Sequence, residues 1–213
     1  KKGDVAVIHY SGHGSNVPDD NGDEADGRDE ILCPTDLNWD DTLRDDWLRT
    51  ALDQVKPGVN LTVIMDCCHS GTNTREIRPP DEKIISRYLP SPWALAAAES
   101  GHRDVGKKVR SQLRRSAPAA RRTKDIVGAE LPEVLITGCR DTQTSEDAFI
   151  DGTYNGALTY ALVDAMTRAK GKLTYRELHE RATGVLVKKK FEQVPQLEGR
   201  KANFDLPLFG ALS

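Results

Sequence analysis

Two short stretches of the chain gather side chains able to do chemistry. The first is HYSGHGS, residues 9 to 15, and the second is DCCHSGT, residues 66 to 72. The second admits three readings: a metal site, a redox pair or a cysteine nucleophile. His9, His13, Cys67, Cys68 and His69 offer zinc-type donors. Zinc sites, however, space their cysteines by two to four residues, and adjacent cysteines rarely both ligate one ion. A redox pair calls for C-x-x-C, and a disulfide between neighbours in sequence is strained. A nucleophile needs a thiol and an imidazole that can take its proton and later return it to the leaving amine.

His13 lies between Gly12 and Gly14. Such glycines let a substrate backbone come close and leave N–H groups free to face a developing oxyanion. His13 is therefore the candidate base. His9, inside an apolar run, reads as a packed core histidine, and His69 as structural or pocket-lining. If strand alternation continues past Asp66, then Asp66 and Cys68 point one way and Cys67 the other. Cys67 is then a small buried hydrophobe and Cys68 the exposed thiol. Asp66 reads either as an acid facing a basic side chain or as a turn former at the strand end.

These residues need a frame to bring them together. DVAVIHY (4 to 10), LTVIMD (61 to 66) and EVLITG (133 to 138) are mostly apolar runs. Such runs suit strands buried on both faces of a parallel sheet. Between the first two, DDWLRTALDQVKPG places Leu48, Ala51, Leu52 and Val55 on one helical face, with Pro57-Gly58 as the stop. Asp45 and Asp46 sit where the helix dipole favours negative charge. NGALTYALVDAMTRA predicts a helix capped by Asn155. Another helix starts at Thr174, with Glu177 completing a capping box. Strand and helix alternate, as in a doubly wound α/β sheet. Sites in such sheets collect at the carboxyl ends of strands. Adjacent parallel strands would bring His13 and Cys68 to one edge, although they lie 55 positions apart.

The 213 residues suffice for one α/β domain, and 38% hydrophobic with 30% charged residues fits a globular chain. A net charge of −3 supplies no global field for nucleic acid or an anionic membrane. No apolar run is long enough to span a bilayer. The opening KKGDVAVIHY reads as a strand and not a signal peptide. Four cysteines, two of them adjacent, do not look like a secreted disulfide framework. A reduced, cytoplasmic compartment is the expectation. Residues 76–128 are rich in Arg, Lys, Pro and small residues and read as a solvated basic connector. Short helices are expected at PWALAAAESG and GKKVRSQLRR within it.

Taken together, HYSGHGS and DCCHSG resemble the histidine and cysteine motifs of caspase-like cysteine peptidases, in the metacaspase and orthocaspase branch. DGRDEILCPTD and LITGCRDTQTSEDAF are similar to further segments of that family. Caspases carry their histidine about 50 residues before the cysteine. The resemblance implies a caspase-like α/β fold: a mostly parallel sheet flanked by helices on both faces. It implies a large catalytic part over 1–75, a connector over 76–128 and a small part over 129–213. It makes Cys68 the nucleophile, His13 the base and acid, and the N–H groups of Gly14 and Cys68 the oxyanion hole. Ser11 and Asp66 would line a pocket for Arg or Lys. Protein or peptide substrates follow, with self-cleavage after Arg114, Arg115, Arg121, Arg122 or Lys124.

Calcium as an activator is a further implication, with Asp29, Asp45 and Asp46 as ligands. Arg75, standing where an aspartate is expected, weakens that site. Otherwise Asp45 and Asp46 simply serve a helix start, and the acidic loop is solvated. The family's first strands precede the histidine motif and are not in this chain, so a separate chain or segment would complete the sheet. Two other classes remain: a catalytically silent caspase-like interaction module, and a metal-binding regulator.

Overall fold

A computed structural model describes residues 1–22, 24, 27–67, 84–99, 133–138, 146–150 and 153–211. In chain order the early elements are β1 (Val5–Ser11), β2 (His13–Pro18), β3 (Arg28–Cys33), β4 (Leu43–Arg44), α1 (Asp45–Asp53) and β5 (Asn60–Asp66). There follow β6 (Ile84–Ser86), α2 (Pro92–Glu99), β7 (Val134–Thr137), β8 (Glu146–Ile150) and β9 (Thr153–Gly156). Helices α3 (Ala157–Arg168) and α4 (Tyr175–Lys188), strand β10 (Gln196–Glu198) and a 3-10 turn (Lys201–Asn203) complete the fold.

The central sheet has the order β1-β5-β7-β10. Its first three strands are parallel and β10 is antiparallel to β7. Strand β5 is mostly apolar because both of its faces are covered. Leu61 and Val63 pack with Leu52 of α1 on one face. Ile64 joins Val134, Ile136 and the buried faces of α3 and α4 on the other. The period of two therefore sends the even-numbered residues of β5 toward α3 and α4. The hydroxyls of Thr62 and Tyr175 meet there at 2.6 Å, and the Asn60 side-chain amide donates to the Tyr175 hydroxyl at 3.1 Å. This is the mostly parallel sheet with helices on both faces that the sequence predicted.

Helix α1 forms where the apolar period placed it, and Asp45 and Asp46 occupy its first turn. The capping box at Thr174 is present in both directions: Glu177 N–H donates to Thr174 Oγ1, and Thr174 N–H donates to Glu177 Oε2. Pro92–Glu99 forms the short helix expected there, and Trp93 meets Trp39 edge to face at 6.0 Å between centroids.

Several expectations need correction. Strand β1 is not buried on both faces: Val5, Val7 and Ile8 are 40%, 45% and 37% exposed. It pairs with β5 on one side only and is the edge of the sheet. His9 is accordingly exposed and not a core histidine, with Nε2 3.2 Å from Thr159 Oγ1. Beyond Gly12 the chain runs straight into β2, which starts at His13 and forms a second sheet in the order β2-β3-β4. Asn155 does not cap α3. It belongs to β9, and the cap position is Gly156, which offers no side-chain bond. Within the stretch expected to be a solvated connector, Arg87 and Ser91 are buried. GKKVRSQLRR, together with Arg114, Arg115, Arg121, Arg122 and Lys124, lies outside the described residues. Among the described residues, no helix is long and apolar enough to cross a membrane.

Candidate active site

Parallel pairing sets Ser11 of β1 level with Asp66 of β5. The two motifs thus leave adjacent strands at the same edge, and His13 and Cys68 each follow two positions later. Gly12 N–H donates to the Asp66 carbonyl at 3.2 Å, which ties the two strand ends together. Cys68, His69 and Arg75 lie outside the described residues. Cys67 is buried, as the alternation predicted for a filler.

Tyr10 fixes the start of β2. Its hydroxyl lies 2.7 Å from the His13 carbonyl and 3.0 Å from the Cys33 carbonyl, sharing one proton between them, and it accepts from Cys33 N–H at 3.1 Å. Burial pushes this phenol up to about 12, so it stays a donor at neutral pH. A Cβ on Gly12 would come within 2.7 Å of that hydroxyl. Gly12 thus makes room for Tyr10, which holds the backbone of His13. The His13 side chain itself is exposed.

Asp66 has no solvent exposure. Its even position in β5 aims it at the start of α3, where Thr159 donates to Oδ2 from both its N–H (2.8 Å) and its hydroxyl (2.7 Å). A carboxylate at a helix N-terminus meets free N–H groups and the positive end of the dipole. Asp66 therefore supplies from another strand the cap that Asn155 and Gly156 do not. Burial pushes its pKa above the ordinary aspartate value, while Arg87 and Thr159 pull it back. Oδ1 has no hydrogen-bond partner. Gly156 lies hard against this carboxyl, and a Cβ there would collide with Oδ2.

A basic side chain does face Asp66, and it comes from the chain itself. Arg87 is 6% exposed. Its Nη1 donates to Ser11 Oγ at 2.8 Å and to the Asp66 carbonyl at 2.7 Å, and lies 3.9 Å from Asp66 Oδ2. Its carbonyl accepts from Gly14 N–H at 2.9 Å. That is the same N–H expected to face an oxyanion.

The metacaspase peptidase C14 domain model matches residues 1–75. Metacaspase-1 of Yarrowia lipolytica is 33% identical over 209 residues, which cover 91% of this chain and 44% of that protein. Metacaspase-1B of Aspergillus oryzae is 31% identical over 212 residues, covering 92% of this chain and 50% of that protein. The chain is similar to metacaspases over nearly all of its length. It spans about half the length of the curated relatives it matches. The crystal structure of protein GSU0716 from Geobacter sulfurreducens superposes with a TM-score of 0.61 at 28% identity, covering all of this chain and 73% of that one.

Sequence reasoning missed Tyr10, Arg87, Gly156 and Thr159. Arg87 carried no clear signal, because Pro90 restricts only Leu89 and β6 ends at Ser86. Thr159 carried none, because its partners are 93 and 148 positions away. The acidic loop also differs from expectation. Among the described residues, the carboxylates that gather within 4.8 Å of one another are Asp19, Asp20 and Asp29, whereas Asp45 and Asp46 are not in that group. Arg44 bonds Asp29 and lies 2.9 Å from Asp20. Asp29 Oδ1 is buried without a hydrogen-bond partner. Three carboxylates, one with an unpartnered buried oxygen, fit a hard cation in donor type.

Proposed function

We propose that this chain is the catalytic part of a cysteine endopeptidase that cleaves after Arg or Lys. Cys68 is the nucleophile. His13 takes the thiol proton, and the thiolate attacks the carbonyl carbon of the substrate Arg or Lys. The N–H groups of Gly14 and Cys68 hold the resulting oxyanion. The carbon–nitrogen bond then breaks, His13 returns the proton to the leaving amine, and water hydrolyses the thioester.

The observation that carries the reading is the cluster of Ser11 and Asp66 around a guanidinium, beside the strand end that leads to Cys68. A fully buried carboxylate that already holds a cation selects a basic side chain. Fluorogenic peptides ending in Arg, Lys or Asp test it. Arg and Lys peptides should be cut, with Cys68→Ala and His13→Ala each losing on the order of a thousandfold or more. Cleavage confined to Asp peptides, or retained by Cys68→Ala, overturns it.

The same specificity predicts self-processing after basic residues of 76–128, read by mass spectrometry of the purified chain. Asp19, Asp20 and Asp29 would hold an activating calcium, which would tie the acidic loop to the start of β3. The apolar outer edge of β1 suits a further strand, from another segment or a separate chain, that would complete the sheet.

A further inference from the structure

We infer that His9 is a specificity residue of the proposed Arg/Lys pocket, and that its charge sets how strongly the pocket takes a basic side chain. The inference rests on that reading of the pocket and deepens it. His9 and Ser11 lie two positions apart on β1 and so share a face. Their register partners on β5 are Ile64 and Asp66. Ile64 packs into the core beneath α3, so this is the face on which Asp66 meets Thr159. A chain of bonds then joins an exposed imidazole to a fully buried carboxylate. Thr159 Oγ1 donates its one proton to Asp66 Oδ2 at 2.7 Å, which leaves it to accept from His9 Nε2–H at 3.2 Å. Ser11 Oγ lies 3.1 Å from the same hydroxyl. His9 thus stands at the solvent end of the cluster that would hold a substrate cation.

An imidazole changes charge between about pH 5 and 8, and an exposed ring takes its proton from solvent. The proton enters at Nδ1, since Nε2 already carries one. Two hydrogen bonds separate the resulting imidazolium from Asp66. A substrate Arg or Lys then meets a like charge beside its acid and is held less tightly. The other charges facing the cluster do not reverse this. Apart from His9 and Asp66, β1 and β5 carry one ionisable side chain, Tyr10, which points to the opposite face. On α3, Asp164 and Arg168 pair with each other. Arg87 lies 3.9 Å from Asp66 Oδ2, and arginine keeps its charge at any working pH. Protonating His9 or Asp66 weakens the hold on a cation, so removing the imidazole strengthens that hold in acid.

The test is kcat/KM on a fluorogenic peptide ending in Arg, for the full chain and its His9→Gln variant, from pH 5.5 to 8. The ratio of variant to parent cancels the titration of His13 and Cys68, which both proteins share. It should stay near one at pH 8 and rise to about ten at pH 5.5, through KM and not kcat. A role in packing alone would shift the ratio equally at every pH. A ratio that is flat, or that falls in acid, overturns the role of His9 and leaves the pocket standing, provided the parent still cuts Arg in preference to Asp. A parent that cuts Arg no better than Asp at pH 8 overturns the pocket itself, and the role of His9 with it. If His9→Gln loses its thermal transition, His9→Asn is judged by the same ratio. Loss of the transition in both makes His9 a structural residue and overturns the inference.

Discussion

Thr159→Val is a near-isosteric change that removes one hydroxyl and leaves the Thr159 N–H in place. That hydroxyl donates to Asp66 Oδ2 at 2.7 Å and touches Ser11 Oγ at 3.1 Å. Asp66 has no solvent exposure, so water cannot replace the lost donor. A hydrogen bond to a charged group contributes about 1.5–3 kcal/mol, and we expect a loss of about 2 kcal/mol at neutral pH. For a chain of this size that is a fall of roughly 4–8 °C in Tm.

The pH dependence gives a sharper check. Burial raises the Asp66 pKa, so the folded state binds its proton more tightly than the unfolded chain does. The Asp66 contribution to stability is then greatest in acid and falls as pH rises from the ordinary aspartate value through the raised one. Removing a partner that favours the carboxylate raises the folded pKa further. The fall should become steeper and extend to higher pH in Thr159→Val, and the gap between variant and parent should shrink in acid. Urea unfolding followed by circular dichroism across the acid range measures this. A variant within about 0.5 kcal/mol of the parent at neutral pH, or a gap that widens in acid, would refute the idea that Asp66 depends on this donor.

Three other outcomes are expected. Burial, followed by the neighbouring Asp46 charge, pushes Asp45 up to about 6, so its charge opposes folding above that pH. Asp45→Asn should therefore stabilise the chain at neutral pH by about 1 kcal/mol after solvent screening, with the gain gone below about pH 4, as denaturant melts would read. Tyr10→Phe leaves the carbonyls of His13 and Cys33 without their shared donor. It should cost about 1–3 kcal/mol and lower kcat on Arg peptides more than it changes KM. Cys67→Ala, at a buried position, should lose about 1 kcal/mol in a thermal melt yet keep peptide cleavage, whereas Cys68→Ala should keep its stability and lose cleavage.

What could be read from the residues was what neighbours in sequence determine. The mostly apolar run of β5 announced a strand covered on both faces. The spacing of Leu48, Leu52 and Val55 announced α1, and Thr174 with Glu177 announced the start of α4. These features depend on contacts three or four positions apart, or on one strand's own period. The two motifs also announced neighbouring parallel strands, and Ser11 does lie level with Asp66, although Cys68 itself lies outside the described residues.

Only the tertiary structure decided what surrounds Asp66. Asp66 caps a helix 93 positions away, and Arg87 reaches Ser11 across 76. Neither pairing leaves a local pattern, because each is set by the register of β1 on β5 and by the packing of α3 against the sheet. The same holds for His9 and β1. A β-branched strand looks identical in sequence whether it lies at the centre or the edge, and its exposure depends on which other strands are beside it. DCCHSGT could nominate an acid for a basic guest. That the basic side chain beside Asp66 is an arginine of this chain was a fact of three-dimensional packing.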